Sequence, residues 1–585
     1  MTDNIEPSAQ QSVAAFHKTT PTLPIGYIVG GGLKESFSAR LTVNPLDVQE
    51  GGFVVIDSGN HRFYGLVTDL KLGATDPRFA DEQSETRLPP TLARALHGQT
   101  LFTNLEILPA LMLERGPEPD SPEYKPWRTS HPEDPRPIPV KTVPQHHAQV
   151  SLAGPQDIAA IFGTPDKQGN FIIGYTREQG HPVCINLEKF IQRSSGVFGA
   201  TGTGKSFLTR LVLAGLMHYD KASVLVLDMH NEYGFDDVAS DTKLPVIGLK
   251  TKFGSRISVV GLGAGARIRN NQTPDFNLEI AMRDISAADV EMLSRELNLK
   301  ETTPTTLNAL NNSFKNDWFA RFKLMNRDEI EIEDEKGRLK KIPHPDSVAA
   351  WAAANGVNQM AAEALHDKLR RLFGKTYIVE KPATDGISQV INTLEAGKHI
   401  VLSFGSHETD LDYLLVSNLL TRHIRDAWEK RTNEFRARAT REPRPLVIVV
   451  EEAHKLLNRE MAAQTTFATI ARELRKYYVT LLIVDQRPSQ IYDEVMSQLG
   501  TRISGWLGDD DDIRAVLSGL SGRDAIQGML ARLQPKEEVL LLGWGVPMPL
   551  PVRSRRYDDQ FWHELQGHRS GRLSNSDALK GLGYD

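Results

Sequence analysis

The chain contains a single cysteine, Cys184, among its 585 residues. An intramolecular disulfide is therefore excluded, and a reducing compartment is the expected setting. No run approaches the roughly 18 consecutive apolar residues that a membrane-spanning helix needs. The opening residues, MTDNIEPSAQQS, lack the basic start and the apolar core of a secretory signal. We therefore expect a cytoplasmic protein that is not associated with a membrane.

An excess of positive charge is also missing, since the formal net charge is −6. This balance argues against a protein that coats nucleic acid with its whole surface. It does not argue against local DNA binding, because a ring can confine its basic groups to a central pore while its exterior stays acidic. The net charge therefore leaves DNA binding open.

The length exceeds what one hydrophobic core supports, so we expect at least two domains. Residues 25–70 alternate short β-rich runs with glycine-rich turns, which is typical of a small antiparallel barrel. Nine prolines lie from Pro117 to Pro144, and they predict extended strands or a loop in place of regular helix. We predict a mobile N-terminus over residues 1–22 and a β-barrel over residues 23–150.

The later sequence is typical of an α/β domain. Continuous apolar runs alternate with helical patterns; the runs are SSGVFGA, ASVLVLDM, GKHIVLSF, PLVIVVEEAH and VTLLIVDQ. Such runs predict a parallel sheet that is buried on both faces. An intervening segment has amphipathic helical spacing and almost no strand signal. We predict a catalytic core over residues 151–270 and 389–555, a helical bundle inserted over 271–388, and a C-terminal strap or tail over 556–585.

The strongest motif is GATGTGKS, which matches the phosphate-loop pattern in full between an apolar run and a helical pattern. Backbone N–H groups of such a loop surround the β-phosphate, and the following helix directs its positive end at the same anion. Lys205 would reach the β- and γ-phosphates, and the Ser206 hydroxyl would bind Mg²⁺. The predicted nucleotide-binding residues are Gly199, Thr201, Gly202, Thr203, Gly204, Lys205, Ser206 and Phe207.

A second motif is PLVIVVEEAHK, in which an apolar strand pattern ends in Glu451 and Glu452. Two carboxylates at a strand end place one acid near the Mg²⁺ shell and the next beside the attacking water. We assign Glu451 to the metal shell and Glu452 to polarising the water. The alternative is a strand that ends in two solvated acids, and the phosphate loop weighs against it.

Other strand ends carry further candidates. VLVLDMHNEYG places Asp228, His230 and Glu232 at the edge of the sheet where ligands usually bind. A structural role for Asp228, as the cap of the next helix, fits equally well. Gln486 follows the apolar run TLLIVD, so it is a candidate sensor of the γ-phosphate or an ordinary loop residue.

The stretch IARELRKYY offers an arginine for the active site of a neighbouring subunit. Ring ATPases generally complete their site with such a group, which stabilises charge on the transferred phosphoryl group. Arg475 is the first candidate and Arg472 the second, while an arginine on a plain helix surface remains the alternative.

Taken in order along residues 22–557, these features resemble the HerA family of the HerA/FtsK superfamily. The features are the β-rich start, GATGTGKS, VLVLDMHNEYG, the helical segment, VIVVEEAHK, ARELRKYYVTLLIVDQRPSQI and EEVLLLGWGVPMPLPVRSR. The resemblance implies a barrel shared with rotary ATP synthases, a RecA-like P-loop NTPase core and a homo-hexamer that uses ATP and Mg²⁺ to translocate double-stranded DNA. It also implies a partner, either a NurA-like nuclease in DNA-end processing or another effector in antiviral defence.

The resemblance also implies roles for particular residues. Gly204, Lys205 and Ser206 match the phosphate loop of the family, and Glu451 and Glu452 match its acidic strand end. Gln486 matches the polar sensor, and Arg475 matches the arginine finger. Two departures stand out. Glu451 occupies a position where aspartate is frequent, and Phe207 opens the helix where a small or polar residue is usual. Because glutamate has one more methylene, we expect metal coordination through water, which would affect the rate and leave the mechanism unchanged.

A second hypothesis is a ring ATPase that moves polypeptide or acts as an ATP-gated scaffold, as in secretion-type assemblies. Contacts with DNA would distinguish this hypothesis from the DNA translocase. The basic residues that could make such contacts are those of RTNEFRARATREPRP together with Lys368, Arg370 and Arg371. Runs of charge are more often solvated faces, so no DNA-binding residue is assigned. Repair or defence, and the direction of movement, are not encoded in a recognisable motif.

The phosphate loop generates the first prediction. Replacement of Lys205 by alanine removes the cation that would hold the β- and γ-phosphates, so we expect ATP turnover to be abolished while the assembly stays intact. Steady-state ATPase assays with size-exclusion chromatography check this. Turnover at the wild-type rate in Lys205→Ala would exclude this loop as the hydrolytic site.

Overall fold

The computed structural model describes residues 24–75, 101–117, 120–131, 136–167, 169–238, 243–268, 271–333, 339–438, 441–462, 466–520 and 522–570. The predicted N-terminal segment 1–22 and residues 571–585 of the predicted tail lie outside the described residues. The chain divides into two compact units. The first contains Met1–Phe190, Phe198–Lys205 and Gly500–Asp585, and the second contains Ile191–Val197 and Ser206–Leu499.

The strands of the described residues are β1 Pro24–Gly31, β2 Phe37–Leu41, β3 Phe53–Ser58, β4 His61–Ala74, β5 Leu101–Glu114, β6 Ile138–Pro139, β7 Gln149–Leu152, β8 Asn170–Tyr175, β9 Pro182–Asn186, β10 Ser195–Phe198, β11 Ser223–Asp228, β12 Asp237–Val238, β13 Pro245–Val246, β14 Ile257–Leu262, β15 Phe276–Leu278, β16 Ile280–Ala281, β17 Glu329–Glu333, β18 Leu339–Pro343, β19 Ile378–Val379, β20 His399–Ser403, β21 Leu446–Glu451, β22 Val479–Asp485, β23 Thr501–Ser504, β24 Glu538–Gly543 and β25 Leu550–Ser554.

The α-helices of the same residues are α1 Tyr124–Ser130, α2 Pro155–Phe162, α3 Leu187–Ile191, α4 Lys205–His218, α5 Leu249–Phe253, α6 Ala287–Glu291, α7 Thr303–Phe314, α8 Trp318–Leu324, α9 Val348–Ala354, α10 Gln359–Phe373, α11 Gly386–Glu395, α12 Asp410–Arg436, α13 His454–Leu457, α14 Arg459–Ala462, α15 Thr466–Glu473, α16 Asp493–Gln498, α17 Asp510–Val516, α18 Arg523–Ala531 and α19 Asp559–Ser570. Among the described residues, no helix is both long enough and apolar enough to cross a membrane.

The first unit begins with the predicted antiparallel β-barrel. Its strand order is β2-β1-β7-β3-β4-β5, and pairing of β2 with β5 closes the ring, while β6 extends from β5. Side chains alternate between the interior and the surface, as in β2, where Phe37, Ala39 and Leu41 are buried. The barrel predicted from the alternation of β-rich runs and glycine turns is therefore confirmed.

One prediction about this region is wrong. The proline-rich stretch contains helix α1, which the density of prolines argued against. Pro126 lies in the first turn of α1, where a backbone N–H has no partner within the helix in any case. The missing N–H therefore costs the helix nothing at that position.

The rest of the first unit contains the antiparallel strands β23-β24-β25-β8-β9 and helix α19. Helix α19 belongs to the segment predicted as a strap or tail. It buries Phe561, Trp562 and Leu565, and Phe561 meets Phe171 edge to face with the ring centroids 6.4 Å apart. This part of the C-terminal segment is therefore a docked helix.

The second unit contains the predicted parallel sheet, with strand order β15-β14-β20-β11-β21-β22-β10. The pairings β14–β15, β14–β20, β11–β20, β11–β21 and β21–β22 are parallel. Every residue of β11, β21 and β22 is buried. This burial confirms the predicted parallel sheet that is covered on both faces. Strands in such a sheet are apolar along their length, so polar groups lie at the strand ends.

The inserted segment is helical, but it is not free of strands. Helices α7 to α10 enclose a core of aromatic side chains in which Trp318, Phe319 and Phe322 are fully buried, and Trp318 Nε1 donates to Ile285 O at 3.0 Å. However, β15 adds an edge strand to the sheet, β16 pairs with β19, and β17 pairs with β18. The prediction of almost no strand was wrong because these strands are at most five residues long, too short for a clear periodic signal.

Candidate active site

The phosphate loop has the geometry that its sequence predicts. Gly199, Gly202 and Gly204 have φ angles of +155°, +77° and +91°, which side chains disfavour. A Cβ on Gly199 would lie only 2.6 Å from Thr203 Oγ1, so glycine is required there. Thr201 and Gly202 are exposed at the tip of the loop. The tip of the loop is therefore open to solvent.

Contacts at the base hold this loop in shape. Thr203 Oγ1 donates to Ala200 O at 2.7 Å, and Lys205 Nζ donates to the same oxygen at 3.1 Å. Lys205 is also the first residue of α4. The Lys205 ammonium is thus held beside the loop. A phosphate oxygen is a stronger acceptor for an ammonium than a carbonyl oxygen is, so a bound phosphate would compete for this donor.

Helix α4 continues with Ser206 and Phe207. The Phe207 ring lies 5.5 Å from the guanidinium of Arg210, which is the same distance from the ring of Tyr233. Arg210 is buried and donates to Glu232 O, so it joins α4 to the loop after β11. Sequence reasoning did not identify Arg210, because an arginine in a helix normally indicates a surface.

Glu451 is the last residue of β21 and is buried, with 6% of its surface exposed. Tyr233 OH donates to Glu451 Oε1 at 2.7 Å, whereas Oε2 has no hydrogen-bond partner among the described residues. Burial, followed by the charges of Asp228 and Glu232, raises the pKa of Glu451 well above its usual value. A buried carboxylate with an unsatisfied oxygen suits the coordination shell of a cation, which would keep it ionised.

Glu452 has a different environment from its neighbour. Its φ angle is +44°, so the chain turns sharply out of β21 at this residue. Gln486 Nε2 donates to Glu452 Oε2 at 3.1 Å and lies 3.4 Å from Oε1. The structure therefore brings together two residues that the sequence identified separately at the ends of β21 and β22.

A third pair at this edge was not predicted. Asp485, the last residue of β22, is buried and accepts hydrogen bonds from the backbone N–H groups of His454 and Arg487, each at 2.7 Å. His454 Nδ1 lies 3.0 Å from Asp485 Oδ2 and 3.6 Å from Glu452 Oε2. Burial alone would lower the pKa of His454, but the hydrogen bond and the charges of Asp485 and Glu452 outweigh it and raise the pKa. The run TLLIVDQ contained the signal, since Asp485 directly precedes Gln486.

The cluster after β11 is mainly structural. Asp228 accepts hydrogen bonds from Glu232 N at 2.8 Å and Tyr233 N at 3.0 Å, so it fixes the turn after the strand and does not cap a helix. Burial raises the pKa of Asp228 to about 6, although these backbone bonds oppose the shift. His230 is exposed. The structural alternative for Asp228 is therefore favoured.

Arg475 lies in a 3₁₀ turn, Leu474–Tyr477, that follows α15. Its side chain is exposed, as an arginine that acts in a neighbouring subunit must be. Helix α12 holds this turn: Arg436 Nη2 donates to Lys476 O at 2.8 Å, and Tyr477 OH donates to Glu429 Oε1 at 3.0 Å. Arg472, the second candidate, lies within α15.

Several of the basic residues considered for DNA binding have partners within the chain. Lys368 donates to Asn298 O, Arg371 donates to Glu296 O, and Arg370 lies 3.7 Å from Asp367. In the arginine-rich stretch, Arg444 contacts Asp220 and the Ser223 hydroxyl. These contacts favour structural roles for the residues involved.

Comparison with known proteins gives matches to two family models. The model of the HerA helicase central domain matches residues 171–424, and the model of the HAS barrel domain matches residues 25–89. The chain is therefore similar to the HerA family over its central region. Its core is that of a P-loop ATPase, as the complete phosphate loop and the acidic strand end require. The resemblance read from the motif order is thereby confirmed.

HerA-type relatives match this chain along most of its length. It is 24% identical to the DNA double-strand break repair helicase HerA of Sulfolobus acidocaldarius, over 95% of each chain. It is also 24% identical to the probable DNA double-strand break repair helicase HerA of Methanocaldococcus jannaschii, over 72% of this chain and 82% of the relative.

The solved structures that match part of the chain include VirB4 of Thermoanaerobacter pseudethanolicus and the bacterial conjugative coupling protein TrwB. VirB4 is 16% identical with a TM-score of 0.38, covering 68% of this chain and 98% of that structure. TrwB is 12% identical with a TM-score of 0.42, covering 69% of this chain and 92% of that structure.

The His454–Asp485 pair predicts a pH dependence of stability. Because the pKa of His454 is higher in the folded chain than in the unfolded chain, its protonation stabilises the fold below about pH 6.5 and ceases to do so as the pH rises through the folded pKa. We expect His454→Gln to lower the thermal unfolding midpoint more at about pH 6 than at about pH 9. An equal difference at the two pH values would contradict the raised pKa.

Proposed function

We propose that this protein is a hexameric DNA translocase or helicase that uses ATP to pump duplex DNA. The observation that carries the proposal is the similarity to a DNA double-strand break repair helicase over 95% of both chains. The exposed phosphate loop and the polar strand ends support the same conclusion, because together they supply the groups that triphosphate cleavage needs.

In this proposal, separate residues bind the phosphates and the magnesium ion. The backbone of residues 199–204 and the ammonium of Lys205 bind the phosphates, and the helix end at Ser206 directs its dipole at them. The Ser206 hydroxyl and the unpaired oxygen of Glu451 fit a magnesium shell. When bound, Mg²⁺ supplies charge neutralisation at the β- and γ-phosphates.

Glu452 acts next to this shell. Its carboxylate is about one-fifth exposed and accepts a hydrogen bond from Gln486, and in this proposal it accepts a proton from the attacking water. Gln486 orients this carboxylate and senses whether the γ-phosphate is present. Arg475 completes the site of the neighbouring subunit, which is why it is exposed and held on a braced turn.

We further propose that the protein acts with a partner nuclease, of the NurA-like type, or with a defence effector. The names of the relatives, which are break-repair helicases, favour DNA-end processing. The alternative is a ring ATPase that moves polypeptide or serves as an ATP-gated scaffold.

DNA-stimulated ATPase activity distinguishes these functions. We expect duplex DNA to raise ATP turnover several-fold, and we expect binding to weaken steeply with salt because phosphate contacts release counterions. ATPase assays with duplexes of increasing length, at two salt concentrations, check this. Unchanged turnover with every duplex and no salt-sensitive binding would favour the polypeptide-moving alternative.

Mixing of inactive variants tests the role of Arg475 across subunits. Arg475→Ala and Glu452→Gln subunits should each be inactive alone. Their equimolar mixture should recover at most about a quarter of the wild-type rate, because a complete site needs one subunit of each kind in the correct order around a closed ring. The same mixture made with Arg472→Ala separates the two candidate arginines. No recovery at any mixing ratio would remove the support for Arg475.

A further inference from the structure

The turn that carries Glu452 has an unfavourable backbone. β21 pairs with β22 up to the register Glu451↔Val484, and the next residue adopts a φ of +44°. A residue with a Cβ is disfavoured in this left-handed region, and the bulky glutamate gains no local hydrogen bond of the kind that favours asparagine there. The conformation therefore has to be held by its surroundings.

Tyr413 supplies one such contact at the main chain. It lies in the first turn of α12, is fully buried, and donates its hydroxyl to Glu451 O at 2.7 Å. This carbonyl belongs to the peptide that joins Glu451 to Glu452. The hydrogen bond thus fixes the plane of that peptide, and with it the direction in which the Glu452 side chain leaves the strand.

Independent contacts hold the first turn of α12 in place. Asp412 accepts hydrogen bonds from Tyr377 OH at 2.7 Å and Lys375 Nζ at 2.8 Å. On its other side, Asp410 forms an ion pair of 2.7 Å with Lys455, which lies three residues beyond Glu452. The Tyr413 ring also packs against Phe404 with a centroid distance of 5.3 Å. Tyr413 is therefore a rigid donor.

Gln486 acts on the same residue from the side-chain end, where it donates to the Glu452 carboxylate at 3.1 Å. The backbone and the side chain of this turn are thus held by two groups from different elements, α12 and the end of β22.

We propose that Tyr413 is a positioning residue for ATP hydrolysis, which acts through the Glu451–Glu452 peptide to aim the Glu452 carboxylate at the attacking water. This inference rests on the proposed role of Glu452. Tyr413 itself bonds to a backbone carbonyl, so its loss should reduce the chemical step and leave nucleotide affinity unchanged.

Tyr413→Phe tests the proposal, since phenylalanine keeps the ring and removes only the donor. We expect kcat for ATP to fall about 10-fold while KM stays within about twofold. The matched control is Thr432→Val, which removes an equally buried hydroxyl that also donates to a backbone carbonyl, Trp428 O at 2.8 Å, near the other end of α12. The control should change the unfolding midpoint by a similar amount and leave kcat close to that of the wild type.

A double variant provides a second readout that simple destabilisation would not give. If Tyr413 and Gln486 both act through Glu452, the combined loss in Tyr413→Phe/Gln486→Ala should be smaller than the product of the single losses. Losses that multiply fully would overturn the shared route.

Glu452→Gln separates failure of this inference from failure of the proposed chemistry. An inactive Glu452→Gln together with normal kcat in Tyr413→Phe, or with an equal fall of kcat in Thr432→Val, would overturn the positioning role alone. Normal turnover in Glu452→Gln would overturn the proposed role of Glu452, and the positioning role with it.

Discussion

Burial of the parallel sheet on both faces is the constraint on which the active site depends. Strands β11, β21 and β22 are apolar and buried along their length, and each ends in a carboxylate: Asp228, Glu451 and Asp485. Ionised groups cannot lie within such strands, because no water reaches them. Parallel pairing then delivers the strand ends to one edge of the sheet, where each carboxylate needs a donor or a cation.

Acidic residues that look alike in the sequence have different surroundings, and these surroundings separate their roles. Asp228 is satisfied by two backbone N–H groups and organises a turn. Glu451 is buried with one oxygen unsatisfied, which suits a cation. Glu452 is partly exposed in a left-handed turn and accepts a hydrogen bond from Gln486, which suits a carboxylate that accepts a proton from water. Burial and hydrogen bonding therefore decide among chemically equivalent groups.

What could be predicted from the sequence was local. GATGTGKS and VVEEAH each hold their chemistry within a few consecutive residues, and the apolar runs identified the buried sheet. The supporting contacts could not be predicted, because Tyr233 and Glu451 are 218 residues apart, and Tyr413 and Glu451 are 38 apart. In the fold, helix α1 and the short strands of the inserted segment were missed, since a favourable first-turn proline and strands of a few residues leave little periodic signal.

The central claim is that ATP hydrolysis by this protein moves double-stranded DNA. Displacement of a third strand from a triplex placed along a duplex measures such movement directly, without requiring the duplex to be unwound. We expect the oligonucleotide to be released when ATP and Mg²⁺ are present and to stay bound with a non-hydrolysable ATP analogue. Rapid ATP hydrolysis on the same duplex with no release of the third strand would contradict the claim.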